Sequence, residues 1–315
     1  MARPPNQPET APAAESPPSA AFTRAIACAT GKSIPPCGAA VVRADLYALA
    51  PTQIRGYLDR VLLGERADLG LDALRESGIL GALLPEVAAL MGLTDYEWRH
   101  KDVWLHTRRV LVQAPAELHL RWAALLHDIG KPRTRKIDAD GQVSFIGHPE
   151  LGARMFDRIA RRQPWFAEDA ELFAKIRFLI LHHQRPGQYD ETWTDSAVRR
   201  FAREMGAHLG DLLDLSRADM TTRHEAKRRR NLLAIDELAA RIAALAAEDA
   251  RLPPLPSGLG DELMQAFHLL PSRLVGEIKR KLEAAVDAGE LPARAPAAIY
   301  LDFVARQRAR FGLPE

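Results

Sequence analysis

His127 and Asp128 stand side by side where an apolar run, ELHLRWAALLHDIGK, comes to its end, and Gly130, Lys131 and Pro132 follow at once. An imidazole and a carboxylate together can bind a metal ion or move a proton. Four more histidines fall in comparable surroundings. His106 sits between Trp104-Leu105 and Val110-Leu111, His148 opens a helical stretch, and His182 and His183 close the apolar FLIL run. Asp219 lies in DLLDLSRADM, where Leu and Asp alternate along a helix. Singly, each has an ordinary explanation: a hydrogen-bonded core histidine, or an aspartate at a surface or cap. Together they do not, because buried imidazoles and carboxylates are costly unless paired or metal-bound. Five histidines and two aspartates at the ends of successive apolar helices point to one shared partner. With neutral imidazole, carboxylate and no thiolate, that partner is a borderline-to-hard divalent ion such as Mn, Fe, Co, Ni, Zn or Mg.

The elements that must position these residues are nearly all helical. From about residue 45 apolar residues recur at spacings of three and four, as in Ile54, Tyr57, Leu58, Val61 and Leu62, the period of an amphipathic helix. Pro85 bends or restarts a helix, and Gly130 with Pro132 stops the one that ends in His127. KIDADGQVSF breaks the pattern: Asp140-Gly141 between two short runs predicts a tight hairpin. The pair Asp138 and Asp140 belongs to that turn. RLPPLPSGLG then separates the chain up to about residue 250 from a last helical unit, in which Leu274, Ile278, Leu282 and Val286 fall every four residues as a buried stripe. The predicted fold is all-α, with one small hairpin.

Composition agrees with a globular protein: 315 residues, 47% hydrophobic and 27% charged. No apolar run approaches the roughly 20 residues that span a bilayer, and a net charge of +2 provides no global basic field for nucleic acid. Two cysteines, Cys28 and Cys37, exclude a disulfide framework. The first twenty residues, rich in Pro and Ala, carry no aromatic and no branched aliphatic side chain. They cannot offset chain entropy, and they lack the features of a secretory signal. Residues 1–40 are therefore predicted to be a disordered leader, and the protein to be cytoplasmic, with no membrane partner.

The order His106, His127-Asp128, Asp219, with Gly-Lys after the pair, resembles the HD superfamily of metal-dependent phosphohydrolases. The wider text narrows the resemblance. DVWLHTRRVL, ALLHDIGKPRT, DADGQVSFIGHPELGA, LILHHQRP and SRADM are similar to the HD region of bacterial tRNA nucleotidyltransferases, the CCA-adding enzymes. LDALRESGILGALLPEVAAL resembles the segment after their nucleotidyltransferase head, and PSGLGDELMQAFHLLPSRLVGEIKRKLEAAVDAGEL resembles their tail. The resemblance covers about residues 50–305. The Gly-Ser turn and Asp-x-Asp pair of that head are not found, so this chain is expected not to add nucleotides.

The resemblance implies an HD-domain helical bundle over residues 101–250, a neck-like helical segment over 41–100 and a helical tail over 251–315. It implies that His106, His127, Asp128 and Asp219 hold one ion, with positions left for water and a phosphate oxygen. Adjacent helix residues point about 100° apart, so His127 and Asp128 share an ion only across a helix tip, and Gly130 lets the chain turn away sharply. Asp128 and Lys131 are the expected catalytic residues. Lys131 either reaches the substrate phosphate as a point charge or is a surface lysine favourable to a helix C-terminus. Some HD families hold two ions with extra histidines in these intervals. His148, His182 and His183 would then complete a second site, with Asp128 as the bridge, unless one of His182 and His183 touches substrate phosphate instead. Arg185 and the basic run 227–231, KRRRN, are either solvated or in contact with phosphate.

The expected function is hydrolysis of phosphoesters on nucleotides or RNA 3′ ends by metal-activated water, with one or two divalent ions per chain and tRNA as a possible partner. Its rivals are a non-catalytic tRNA- or RNA-binding protein and a regulatory remnant of a tRNA nucleotidyltransferase.

Overall fold

The computed structural model describes residues 17–32, 46, 48–95, 101–250 and 253–314. They are almost entirely helical, with two short antiparallel ribbons, Thr94–Asp95 with Lys101–Asp102 and Lys136–Ile137 with Val143–Ser144. The second is the expected hairpin. Its turn is closed by Asp138, whose carboxylate accepts from the backbone N–H of Asp140 (3.0 Å) and Gln142 (2.8 Å), while Gly141 takes φ +78°. The first ribbon has no counterpart in the sequence reading. No helix among the described residues is long and apolar enough to cross a membrane.

The chain divides into two compact units, Met1–Ala243 and Ala244–Glu315. The division falls inside the long helix Glu225–Ala250, some residues before the Pro/Gly-rich break. In the second unit, helices Leu259–Ala266, Arg273–Asp287 and Ala297–Arg306 enclose Leu263, Ile278, Leu282, Tyr300 and Val304, all fully buried. Leu274 and Val286 flank this core half-buried. The Tyr300 hydroxyl donates to the Pro292 carbonyl at 2.7 Å and accepts from the Ala295 N–H at 3.0 Å.

The larger unit holds the clustered histidines. Its centre is the helix Leu118–Leu126, in which every residue from Leu120 to Leu126 is buried. Against it pack Val103–Gln113, Ala170–His182 and Leu209–Asp219, and His148–Arg162 packs on Ala170–His182. The helix bearing His106 starts at an aspartate cap, Asp102, which accepts from the Trp104 N–H at 2.9 Å. Asp169 caps the helix leading to His183 in the same way, from Leu172 N–H at 3.1 Å. The expected neck-like segment packs within this same unit: Trp122 Nε1 donates to Asp59 at 2.7 Å, and Arg55 pairs with Asp169 at 3.0 Å.

Two expectations are corrected. Of the predicted disordered leader, Pro17–Ala29 is a helix with Phe22, Ala25 and Ala29 fully buried, packed against Pro51–Leu62 and Ala67–Glu76. Small residues make the fit. A Cβ on Gly70 would collide with Ala29 and Val61, and one on Gly64 with the Ala29 backbone. Phe22 stacks on Tyr57, ring centroids 4.8 Å apart. Cys28 is buried in the same helix, whereas Cys37 and the rest of the predicted leader lie outside the described residues. The second correction concerns Gly130. It has an ordinary helical conformation, φ −75° and ψ −23°, so no sharp turn demands glycine there. What demands it is proximity, since a Cβ on Gly130 would overlap the His148 carbonyl and press on the Gly152 N–H.

Candidate metal centre

The helix Leu118–Leu126 ends with His127 at its C-cap, followed by Asp128. Both side chains are 1% exposed. A buried carboxylate at a helix C-terminus faces the wrong end of the helix dipole, so something cationic must offset it. Around its two oxygens the fold gathers residues from four other segments. On the Oδ2 side, His127 Nε2 lies at 3.2 Å and His106 Nε2 at 3.5 Å. On the Oδ1 side, His148 Nε2 lies at 3.2 Å and His183 Nε2 at 4.0 Å. Asp219 Oδ1 completes the first group at 2.9 Å from His106 Nε2 and 3.7 Å from His127 Nε2. Asp128 thus belongs to two clusters of donors, His106–His127–Asp128 and Asp128–His148–His183.

Each imidazole is aimed by its other nitrogen. Nδ1 of His127 bonds the Ala124 carbonyl at 2.9 Å, Nδ1 of His148 the Phe145 carbonyl at 2.8 Å, and Nδ1 of His183 the Ile180 carbonyl at 2.8 Å. A carbonyl only accepts, so in all three rings the proton sits on Nδ1 and the Nε2 lone pair faces Asp128. His106 Nδ1 is 2.7 Å from the Thr221 hydroxyl. The Ser216 hydroxyl donates to the His183 carbonyl at 3.3 Å. Both Asp128 oxygens are buried, and the nearest cationic side chain is Lys131, its Nζ 2.8 Å from Oδ2. Three lone pairs and a buried carboxylate therefore converge on one space, and the Nε2 atoms of His106 and His127, and of His148 and His183, approach to 3.2 Å. Apart from the Lys131 ammonium, neutral imidazoles so arranged offer acceptors and no protons to share. A divalent cation is the partner whose chemistry fits it, and the carbonyl bonds behind the rings are the outer contacts that orient metal-binding histidines.

The protonation tendencies follow from the same crowding. Burial alone would raise the Asp128 carboxyl, but His127 and Lys131 beside it hold it well below the usual carboxylate range. Asp219 behaves alike, with burial opposed and outweighed by its bond to His106. Burial disfavours charge on His127, yet Asp128 overrides it and raises the imidazole. His183, without so close a carboxylate, is pushed down to about 3 by burial and by His127.

The remaining predicted residues divide. Lys131 Nζ lies 2.8 Å from Asp128 Oδ2 and 5.5 Å from the centre of the Phe145 ring, so it is part of the cluster and not a free surface lysine. His182 is not a member. Its ring packs on Phe178, centroids 4.4 Å apart, because neighbouring helix residues diverge and the fold directs His183 inward. Arg185 turns to Glu204 at 2.7 Å and over the Phe201 ring, on the His182 side. In the run 227–231 the side chains of Lys227 to Arg230 are exposed, and Arg228 Nε donates to the Met220 carbonyl at 3.2 Å. Thr221 was not anticipated. The only signal was its place in SRADMTT, two residues past Asp219.

Residues 101–223 match the protein family described as HD domain. Among characterised proteins, the chain is similar to the A-adding tRNA nucleotidyltransferase of Deinococcus radiodurans, 35% identical over 250 residues, which covers 76% of this chain and 55% of that protein. It is also similar to the CC-adding tRNA nucleotidyltransferase of Thermus thermophilus, 30% identical over 259 residues, 80% of this chain and 56% of that one. A multifunctional CCA protein of Pseudomonas fluorescens is 33% identical over 123 residues, 38% of this chain and 29% of its own length. The chain spans about half the length of the first two relatives.

Proposed function

We propose that this chain, whose residues 101–223 are an HD domain, is a metal-dependent phosphohydrolase that acts on phosphoesters of nucleotides or RNA ends. The observation that carries the reading is Asp128, a buried carboxylate set between two groups of imidazoles, with the Lys131 ammonium 2.8 Å from one of its oxygens. His106, His127, Asp128 and Asp219 would hold one divalent ion, and Asp128, His148 and His183 a second. A bound divalent ion lowers the pKa of its water to near 7 and offsets phosphoryl charge, and a pair of ions does so for both the attacking and the leaving oxygen.

The chain's own groups do the rest. Thr221 and the three carbonyls fix the imidazole rings. His127, Asp128, His148 and His183 are each 3% exposed or less, which keeps bulk water from one side. His106 and Asp219, at 11% and 23% side-chain exposure, form the side that substrate can reach. Lys131 places a positive charge beside Asp128 where a phosphate oxygen would approach. Water adds to phosphorus, the P–O ester bond breaks, and the alcohol leaves with a proton.

The test is a hydrolysis screen of phosphomonoesters, 2′,3′-cyclic phosphates, other cyclic nucleotides and dinucleoside polyphosphates with Mn, Fe, Co, Ni, Zn and Mg. Hydrolysis of at least one class, abolished by a chelator and restored by the ion, is the expected result. No hydrolysis by the metal-loaded chain in any pairing overturns the reading. The names of the relatives favour a second reading, in which the chain binds tRNA and hydrolyses nothing. A binder has no need of the buried donor set, and this is why hydrolysis is preferred.

A further inference from the structure

Eight residues before His127 and eight before Asp219, on the same two helices, stand His119 and Asp211. The helices Leu118–Leu126 and Leu209–Asp219 pack together and run in the same direction. At one end His127 Nε2 faces Asp219 Oδ1 at 3.7 Å, and at the other His119 Nε2 faces Asp211 Oδ1 at 3.1 Å. Eight residues of helix are about 12 Å long, so the second pair lies well away from the metal centre. Glu117 joins it, with Oε2 3.6 Å from His119 Nε2. One imidazole nitrogen and two carboxylate oxygens thus gather within 4.8 Å of one another. The chain entering the first helix is pinned, because the buried Arg121 donates from Nε to the Pro115 carbonyl at 3.1 Å.

An ordinary ion pair is the alternative, and the ring geometry argues against it. In a hydrogen-bonded imidazole–carboxylate pair an oxygen lies close to the axis of the N–H bond. His119 Nε2 is shut off from solvent and makes no such bond, although Asp211 is 3.1 Å away, so the neighbouring oxygens stand off that axis. They belong there when an ion takes the axis. Zinc bonded at about 2.0–2.2 Å to nitrogen and oxygen in tetrahedral geometry sets its donors roughly 3.3 Å apart, between the 3.1 and 3.6 Å found here. One imidazole with two carboxylates and no thiolate suits a borderline divalent ion such as Zn, Co, Ni or Mn, and two carboxylates balance its charge. The side chains of His119, Asp211 and Glu117 are 14%, 26% and 60% exposed. The set is therefore closed by the helices and open at Glu117, where water would complete the coordination.

We infer that Glu117, His119 and Asp211 form a separate site for a divalent transition-metal ion, zinc above all. The ion clasps the two helices whose far ends carry His127-Asp128 and Asp219. Its role is structural, since no donor of the site belongs to the centre, and the inference does not depend on the hydrolase reading. With three protein donors and one open side, this ion is held less firmly than those of the buried centre and leaves on desalting. It is therefore counted in equilibrium with free zinc.

Equilibrium dialysis of the full chain against buffered free zinc, with the bound ions counted by mass spectrometry, tests it. The parent should hold one ion more than His119→Ala. It should also hold one more than Asp211→Asn, which keeps the shape of the side chain and removes its charge. The same loss should appear when His119→Ala is added to Asp128→Ala, because the two places bind independently. Equal zinc counts in the parent and both single variants, with circular dichroism intact, overturn the inference. So does a loss that vanishes in the Asp128→Ala background, since the substitution would then be acting through the centre. A zinc-edge anomalous difference map of the unmutated chain needs no variant, and it decides the case if the variants unfold. A peak about 2.0–2.1 Å from His119 Nε2 is expected, and crystals grown with zinc that show none there overturn the inference.

Discussion

His148 and His183 meet through their Nε2 atoms at 3.2 Å, each with its Nδ1 committed to a backbone carbonyl. Neither nitrogen of the pair has a proton to give, so the contact is favourable only with a cation between them. The metal-loaded chain should therefore contain close to two ions, and His148→Ala about one. Inductively coupled plasma mass spectrometry after gentle purification measures this. One ion in saturating Mn or Fe, with His148→Ala unchanged, would assign a single-ion site to the first cluster.

Asp128→Ala should reduce hydrolysis by more than about 100-fold, beyond the 10–100-fold typical of residues that only orient metal ligands. Its circular dichroism should stay native, since the helices around it close on apolar contacts. Full activity in this variant would remove Asp128 from the reaction.

Gly130→Ala places a methyl group on the His148 carbonyl. Overpacking of this kind costs about 1–3 kcal/mol, and here it pushes on the backbone of a ligand. We expect a lower unfolding midpoint in urea and a weaker second ion, with the first little changed. A variant as stable as the parent would show that His148–Arg162 can move aside.

Phe22→Ala should destabilise the chain by about 3–5 kcal/mol, the usual cost of emptying a buried aromatic site. Deleting residues 1–32 should cost at least as much. A truncated chain with the parent's melting temperature would mean that Pro17–Ala29 covers nothing that matters.

The metal-stripped chain should lose stability in acid. His183 has a folded value of about 3 against 6.5 when unfolded. Between these values the unfolded chain binds the extra proton, so stability falls as pH falls, by at most about 1.4 kcal/mol per pH unit for one group. His127 has the opposite sign, because its raised value contributes stability that is fully present below 6.5 and is lost as pH rises through the folded value. Below 6.5 it no longer changes; His183 leads the decline, His182, lowered by burial, adds to it with the same sign, and Asp128 and Asp219, both lowered, join it below 3.8. Urea unfolding of the stripped protein should show the decline, and His183→Ala should make it shallower.

Most of the centre was legible because its residues interrupt apolar helices where a charge has no other reason to be. His106, His127, Asp128, His148, His183 and Asp219 were all named from that argument, and the structure brings them together. His182 was misplaced because spacing alone cannot say which of two adjacent residues turns inward. That depends on helix phase, here set by the packing of Ile176, Leu179 and Ile180, all buried. The helix Pro17–Ala29 was missed because its apolar content was judged with the Pro-rich stretch before it, although FTRAIACA carries a stripe of its own. Its small side chains fit against Gly64 and Gly70, a complementarity between distant segments that no local pattern reveals.

His106 and Thr221 touch across 115 residues of chain, and Asp219 stands just before that junction. An ion held by His106, His127, Asp128 and Asp219 is thus a cross-link that closes a long loop, in the thermodynamic sense that a disulfide is one. Loop closure of this length lowers the entropy of the open chain, and binding that occurs only when the loop is shut adds its free energy to folding. Without the ion that closure rests on helix packing, the His106–Thr221 contact and the Gln113–Ala218 hydrogen bond, so metal supply would bear on the domain's resistance to proteolysis as well as on its chemistry.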